Sequence, residues 1–177
     1  YPVEMPVEYT KDVYLWTGFS AWGVGKWKDR WESTIEEPPL DELKSFLKEK
    51  PYMKKLDAIA GHYRPALQHI VDTGHYTGDT IYSYQMFKNG YYSVFPLVSR
   101  VRNIGHDGSG LHCVVDNTQE FLQQEISSGN NPIMFEEAIE PNEAIYRVLS
   151  KYFQRSHWYS FKLFLKRTFL KKKQVGL

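Results

Sequence analysis

Proline placement limits this chain more than any other feature: nine prolines are spread over 177 residues. Proline fixes φ and donates no backbone hydrogen bond, so long helices and central strands cannot run through it. The chain must therefore be built from short elements. Pro38 and Pro39 precede DELKSFLKEK, whose first turn is acidic and whose Leu40, Leu43, Phe46 and Leu47 share one face, so a helix is expected there, interrupted at Pro51. Helical spacing resumes over 53–70, where Pro65 predicts a kink or break near Arg64. TIYSYQMFK reads as a further helix that stops at Asn89-Gly90, with Asp79 as its N-cap or first-turn residue. Short strands are expected at 12–16 and within YYSVFPLVSRVRNIG, the latter split by Pro96. Pro141 opens an amphipathic pattern through Ile145, Val148, Leu149, Tyr152 and Phe153, and HWYSFKLFLKRTFLKKK ends the chain with another. The fold class expected from this reading is α+β, mainly helical, with a small β-sheet drawn from 12–16 and 91–104.

Composition excludes several classes. At 42% apolar and 24% charged residues the chain is neither a disordered tail nor a fibrous repeat. One cysteine, Cys113, rules out an internal disulfide, and with no CxxC pair a zinc finger is ruled out too, so a reducing compartment is the default. No apolar run approaches the ~18 residues of a membrane span, and YPVEMPVEYT has no signal-peptide character. The expected location is the cytoplasm. The net charge of +1 conceals a division. From Arg147 onward there are nine basic residues and no acidic ones, whereas the first 146 residues hold 13 basic against 21 acidic, a net −8. An acidic body carries a cationic tail.

Three segments carry candidate chemistry. Trp16, Phe19, Trp22, Trp27 and Trp31 are interleaved with Gly18, Gly23 and Gly25. Indole rings on glycine-shaped turns stack well on sugars or bases, although large aromatics more often pack a core. Asp79, at a loop-to-helix junction, has the chemistry of a general base and equally that of a helix cap. In HDGSGLHC, a Gly-Ser-Gly turn flanked by His106, Asp107, His112 and Cys113 offers an anion nest with room for a divalent cation, or is a solvated turn.

In combination, SAWGVGKWKDRW, GDTIYSYQMFKNG and YSVFPLVSRVRNIGHDGSGLHC resemble the C-terminal half of bacterial glycosyltransferases with the GT-A fold, the family 2-like sugar transferases of surface polysaccharide synthesis. The resemblance spans about 12–113, and NIGHDGSGLHC is its most specific part. Lys26, Gly78 and Leu111 depart from it, at positions where the family usually has Thr, an aromatic residue and Thr. It implies a transferase that moves a sugar from a nucleotide-sugar donor to a glycan or lipid-linked acceptor. Asp79 would be the catalytic base. Trp22, Gly23 and Trp27 would line the substrate cleft, with Asp107, Gly108, Ser109 and Gly110 on the donor side. His112 would contact the donor diphosphate or its Mg²⁺ or Mn²⁺.

Such enzymes hold that cation with an Asp-x-Asp motif, which this chain lacks. With Tyr1 as its first residue, the chain is expected to be the acceptor-side region of a longer protein and inactive alone. Its parts are then 1–140, the glycosyltransferase region, and 141–177, a basic helical element. The alternative function is a non-catalytic carbohydrate-binding or protein-interaction module. In the tail, basic residues alternate with Trp158, Phe161, Phe164, Leu165 and Phe169, a pattern fitting an anionic membrane surface through 155–173 or a packed helix with solvated lysines; nucleic acid would not bury those rings. Membrane docking would put the protein at the inner face of the plasma membrane. An apolar surface facing a missing donor half would favour self-association.

Overall fold

The computed structural model describes residues 3–105, 123–129, 132–136 and 138–154. Its elements in chain order are β1 (Val13–Trp16), α1 (Lys28–Glu32), α2 (Leu40–Lys48), α3 (Lys50–Ile59), α4 (Tyr63–Thr73), α5 (Gly78–Lys88) and β2 (Ser93–Pro96), followed by helical residues over 143–154. The class is α+β, mainly helical, with one two-stranded sheet. Two compact units divide it: Tyr1–Glu37 with Thr77–Val148, and Pro38–Tyr76 with Leu149–Leu177. The chain leaves the first unit at the Pro38-Pro39 pair.

In the first unit β1 and β2 pair antiparallel, with Tyr14 opposite Phe95 and Trp16 opposite Ser93. The rings of Tyr14 and Phe95 stack at 5.5 Å, the kind of cross-strand pair that stabilises a sheet. A two-stranded ribbon is marginal by itself. Here Val13, Tyr14 and Trp16 are all buried, and Trp16 lies 4.6 Å from the ring of Tyr146. Burial of each such side chain contributes roughly 1.5–3 kcal/mol, enough to hold so short a strand. β2 ends at Pro96, which has no N–H for a ladder to use. Asn142 starts the helical run: its Oδ1 accepts the N–H groups of Ala144 and Ile145 at 3.0 and 3.1 Å. α5 buries Ile81, Ser83, Tyr84, Gln85 and Met86, so it is enclosed on most sides. The Gln85 amide donates to the Glu36 carbonyl at 3.1 Å, and Gly90, with φ 66°, turns the chain out of the helix toward β2.

The second unit packs α2, α3 and α4 through Leu43, Met53, Leu56, Ile59, Tyr63, Leu67 and Ile70. In α2 only Leu43 is fully buried; Leu40, Phe46 and Leu47 are half-buried, so the stripe is narrower than its spacing predicts. Pro51 falls in the first turn of α3, where a missing N–H costs nothing. The expectation of a kink near Arg64 needs correction. The helix breaks earlier, at 60–62, and Pro65 sits in the first turn of α4, so it helps start a helix instead of bending one. An ion pair between Asp57 and Arg64 joins the two sides of that break.

Candidate functional site

The first unit contains a cleft of about 700 Å³, and the tryptophan–glycine stretch forms much of its wall. Of the four tryptophans there, Trp16 is fully buried, whereas Trp22, Trp27 and Trp31 are 47%, 69% and 40% exposed. Core packing thus accounts for one ring and not for the other three. Trp22 lies in a turn closed by Gly23, whose φ of 67° is a conformation L side chains rarely adopt. A Cβ at Gly23 would lie 2.6 Å from a Val101 methyl, so the turn runs close against the segment that follows β2. Trp27 occupies the N-cap position of α1, and Trp22, Gly23 and Trp27 all line the cleft.

Lys26, one of the three departures from the pattern the sequence resembles, has a specific setting. Its ammonium lies 3.9 Å from the ring centre of Tyr82, 4.1 Å from that of Trp31 and 5.0 Å from that of Phe19. These rings come from α5, α1 and the loop after β1, so Lys26 ties three segments together through cation–π contacts. Burial holds the Lys26 pKa below the ordinary lysine value, opposed in part by the negative charge of Asp79.

Asp79 is exposed in the first turn of α5, behind Thr77 at the N-cap. It lies one helical turn before Tyr82, on the face that meets Lys26. A carboxylate in this position stabilises its helix irrespective of any chemistry. Asp107, Gly108, Ser109, Gly110 and His112 lie outside the described residues, as do Cys113 and the tail over 155–177.

Two further cationic side chains at the cleft, Arg30 and Arg100, join Lys26 in its lining and carry no motif that marks them in the sequence. The Arg30 guanidinium sits 4.7 Å over the ring of Tyr91 and pairs with Asp29 at 3.2 Å. Arg100 is half-buried in the segment after β2, beside Arg102, which donates to the Gln124 carbonyl at 2.7 Å. Only a weak signal marks this in the sequence: Arg100 and Arg102 are the only charged residues in 91–104.

Half-exposed indole faces in a cleft are suited to the apolar faces of sugar rings. Among the described residues no three His, Cys, Asp or Glu side chains gather to hold a metal ion, and no helix is long and apolar enough to cross a membrane. Comparisons with protein-family models, with curated proteins and with solved structures give no match.

Proposed function

We propose that this chain is the acceptor-binding, base-supplying region of a glycosyltransferase of the GT-A type, which transfers a sugar from a nucleotide-sugar donor to a glycan or lipid-linked acceptor. The observation that carries the reading is the cleft wall, where Trp22 and Trp27 expose their rings although Trp16, a few residues earlier, is wholly buried. In this reading the acceptor sugar stacks on the indoles. Asp79 accepts the proton of the acceptor hydroxyl as its oxygen attacks the anomeric carbon and the nucleoside diphosphate departs. The negative charge of Asp79 acts on Lys26, which lies against Tyr82 one helical turn further along α5. A divalent cation would stabilise the departing diphosphate in the whole enzyme. The side chains it would use, Asp107 and His112, lie outside the described residues, and no step is drawn through it.

The test is Asp79→Asn in a protein that includes the donor-binding half. Transfer should be lost while nucleotide-sugar binding persists, and wild-type turnover in that variant would remove Asp79 from the mechanism. A second reading, a non-catalytic carbohydrate-binding module, is favoured by the exposure of Asp79 in a first helical turn, where capping electrostatics alone explain it. The reading frame upstream of Tyr1 separates the two: a strand-rich segment with Asp-x-Asp supports the transferase, and its absence supports the module.

A further inference from the structure

The described lining of the cleft has a charge opposite to that of the body of the chain. The first 146 residues carry a net −8, and yet among the described residues that line the cleft there are three cations, Lys26, Arg30 and Arg100, and no aspartate or glutamate. A concave site lined by one sign of charge concentrates its field and draws ligands of the other sign. Two of the three cations are held in place by aromatic faces: Lys26 by Phe19, Trp31 and Tyr82, and Arg30 by Tyr91. A charge fixed on a ring loses less rotamer freedom on meeting a ligand than one swinging in water. Among the described residues, Asp79 acts on Lys26 from outside the lining, and Asp29 pairs with one guanidinium nitrogen of Arg30, leaving its other donors for a ligand.

We propose that the cleft takes an anionic carbohydrate, its sugar ring on Trp22 and Trp27 and its carboxylate or phosphate between Lys26, Arg30 and Arg100. This rests on the reading of the cleft as a carbohydrate site and adds the ligand's charge.

Isothermal titration of the full chain with four probes tests it: a galacturonic acid trimer, its carboxyl-reduced neutral counterpart, glucose 1-phosphate and inorganic phosphate. The acidic trimer, the sugar phosphate or both should bind at least about tenfold more tightly than the neutral trimer, a difference of about 1.4 kcal/mol. Which of the two binds identifies the anion. Lys26→Gln should abolish that preference, read as the ratio of the acidic to the neutral affinity, and Lys26→Arg should keep it. Should Lys26→Gln unfold the first unit, Arg30→Gln on the exposed α1 serves instead, with added salt weakening the acidic ligand alone. Binding of the acidic trimer and of glucose 1-phosphate no tighter than that of the neutral trimer overturns the charge inference and leaves the carbohydrate reading standing. Binding of inorganic phosphate as tightly as any sugar overturns the carbohydrate reading and leaves an anion site. No binding of any probe overturns both.

Discussion

Substituting alanine for each of the three glycines in the tryptophan–glycine stretch should give three different outcomes, although the sequence treats them alike. At Gly18 a Cβ would lie 2.0 Å from Trp16 Nε1 and 2.6 Å from its Cδ1. That ring cannot retreat, because Trp16 is wholly buried and rests on Tyr146 at 4.6 Å. Overpacking against an immobile group costs about 1–3 kcal/mol, and Gly18→Ala belongs at the upper end. At Gly23 the obstacle is the backbone, with φ at 67°. Holding alanine in the left-handed region costs about 1–2 kcal/mol. Its contact with Val101 adds little, because Val101 is 41% exposed and free to move aside. Gly25 has no atom within 4 Å of its would-be Cβ and is not in the left-handed region. Alanine there should stabilise by about 0.4–1 kcal/mol through the unfolded chain.

Urea unfolding followed by far-ultraviolet circular dichroism reads the series. A loss of about 2 kcal/mol moves the midpoint by about 1 M. The order Gly18→Ala, Gly23→Ala, Gly25→Ala from least to most stable is the expected result. A neutral Gly18→Ala, or a Gly25→Ala as damaging as the other two, would refute the geometry from which these costs are worked.

Trp22→Ala and Trp27→Ala should each weaken sugar binding in titrations while changing the stability read by urea unfolding by less than about 0.5 kcal/mol, because about half or more of each side chain is exposed. Asn142→Ala removes the acceptor for two helix N–H groups and should cost about 1 kcal/mol, read in the same denaturation experiment. Burial raises the phenol pKa of Tyr9, Tyr14 and Tyr146 above the ordinary 10.0. Above pH 10 the unfolded chain releases protons that the folded chain retains, so stability is full below that value and falls as pH rises beyond it. Tyr14→Phe should flatten that alkaline fall; an unchanged pH profile would count against Tyr14 as its source. Co-sedimentation with anionic vesicles, and none with neutral ones, is the outcome expected if the basic tail docks on membranes.

Much of the secondary structure could be read from local chemistry. Prolines and helix-period leucines located α2 and the break after it, and Asn89-Gly90 located the end of α5, because φ restriction, missing donors and apolar spacing act over a few residues wherever the chain goes. Pro65 shows how far this reaches: the residue announced a discontinuity, but whether proline bends a helix or begins one depends on which neighbouring turn forms. The short α1 lies within a stretch whose glycines and tryptophans gave no periodic signal, and it was not foreseen.

For the site, the sequence by itself determined the inventory: clustered indoles, a carboxylate at a helix start and an acidic body. Tertiary structure decided what the inventory does. It sorted one buried tryptophan from three exposed ones, because burial depends on which segments return to cover a ring. It also set Lys26 among rings from positions 19, 31 and 82, and put Arg100 on the wall of the same cleft. Tyr82 and Arg100 lie more than fifty positions from Lys26, and contacts over such separations leave no periodic trace in a sequence. Cation–π contacts act within about 6 Å and exposed charges are screened beyond about 10 Å, so only the folded chain brings these groups close enough to act on one another.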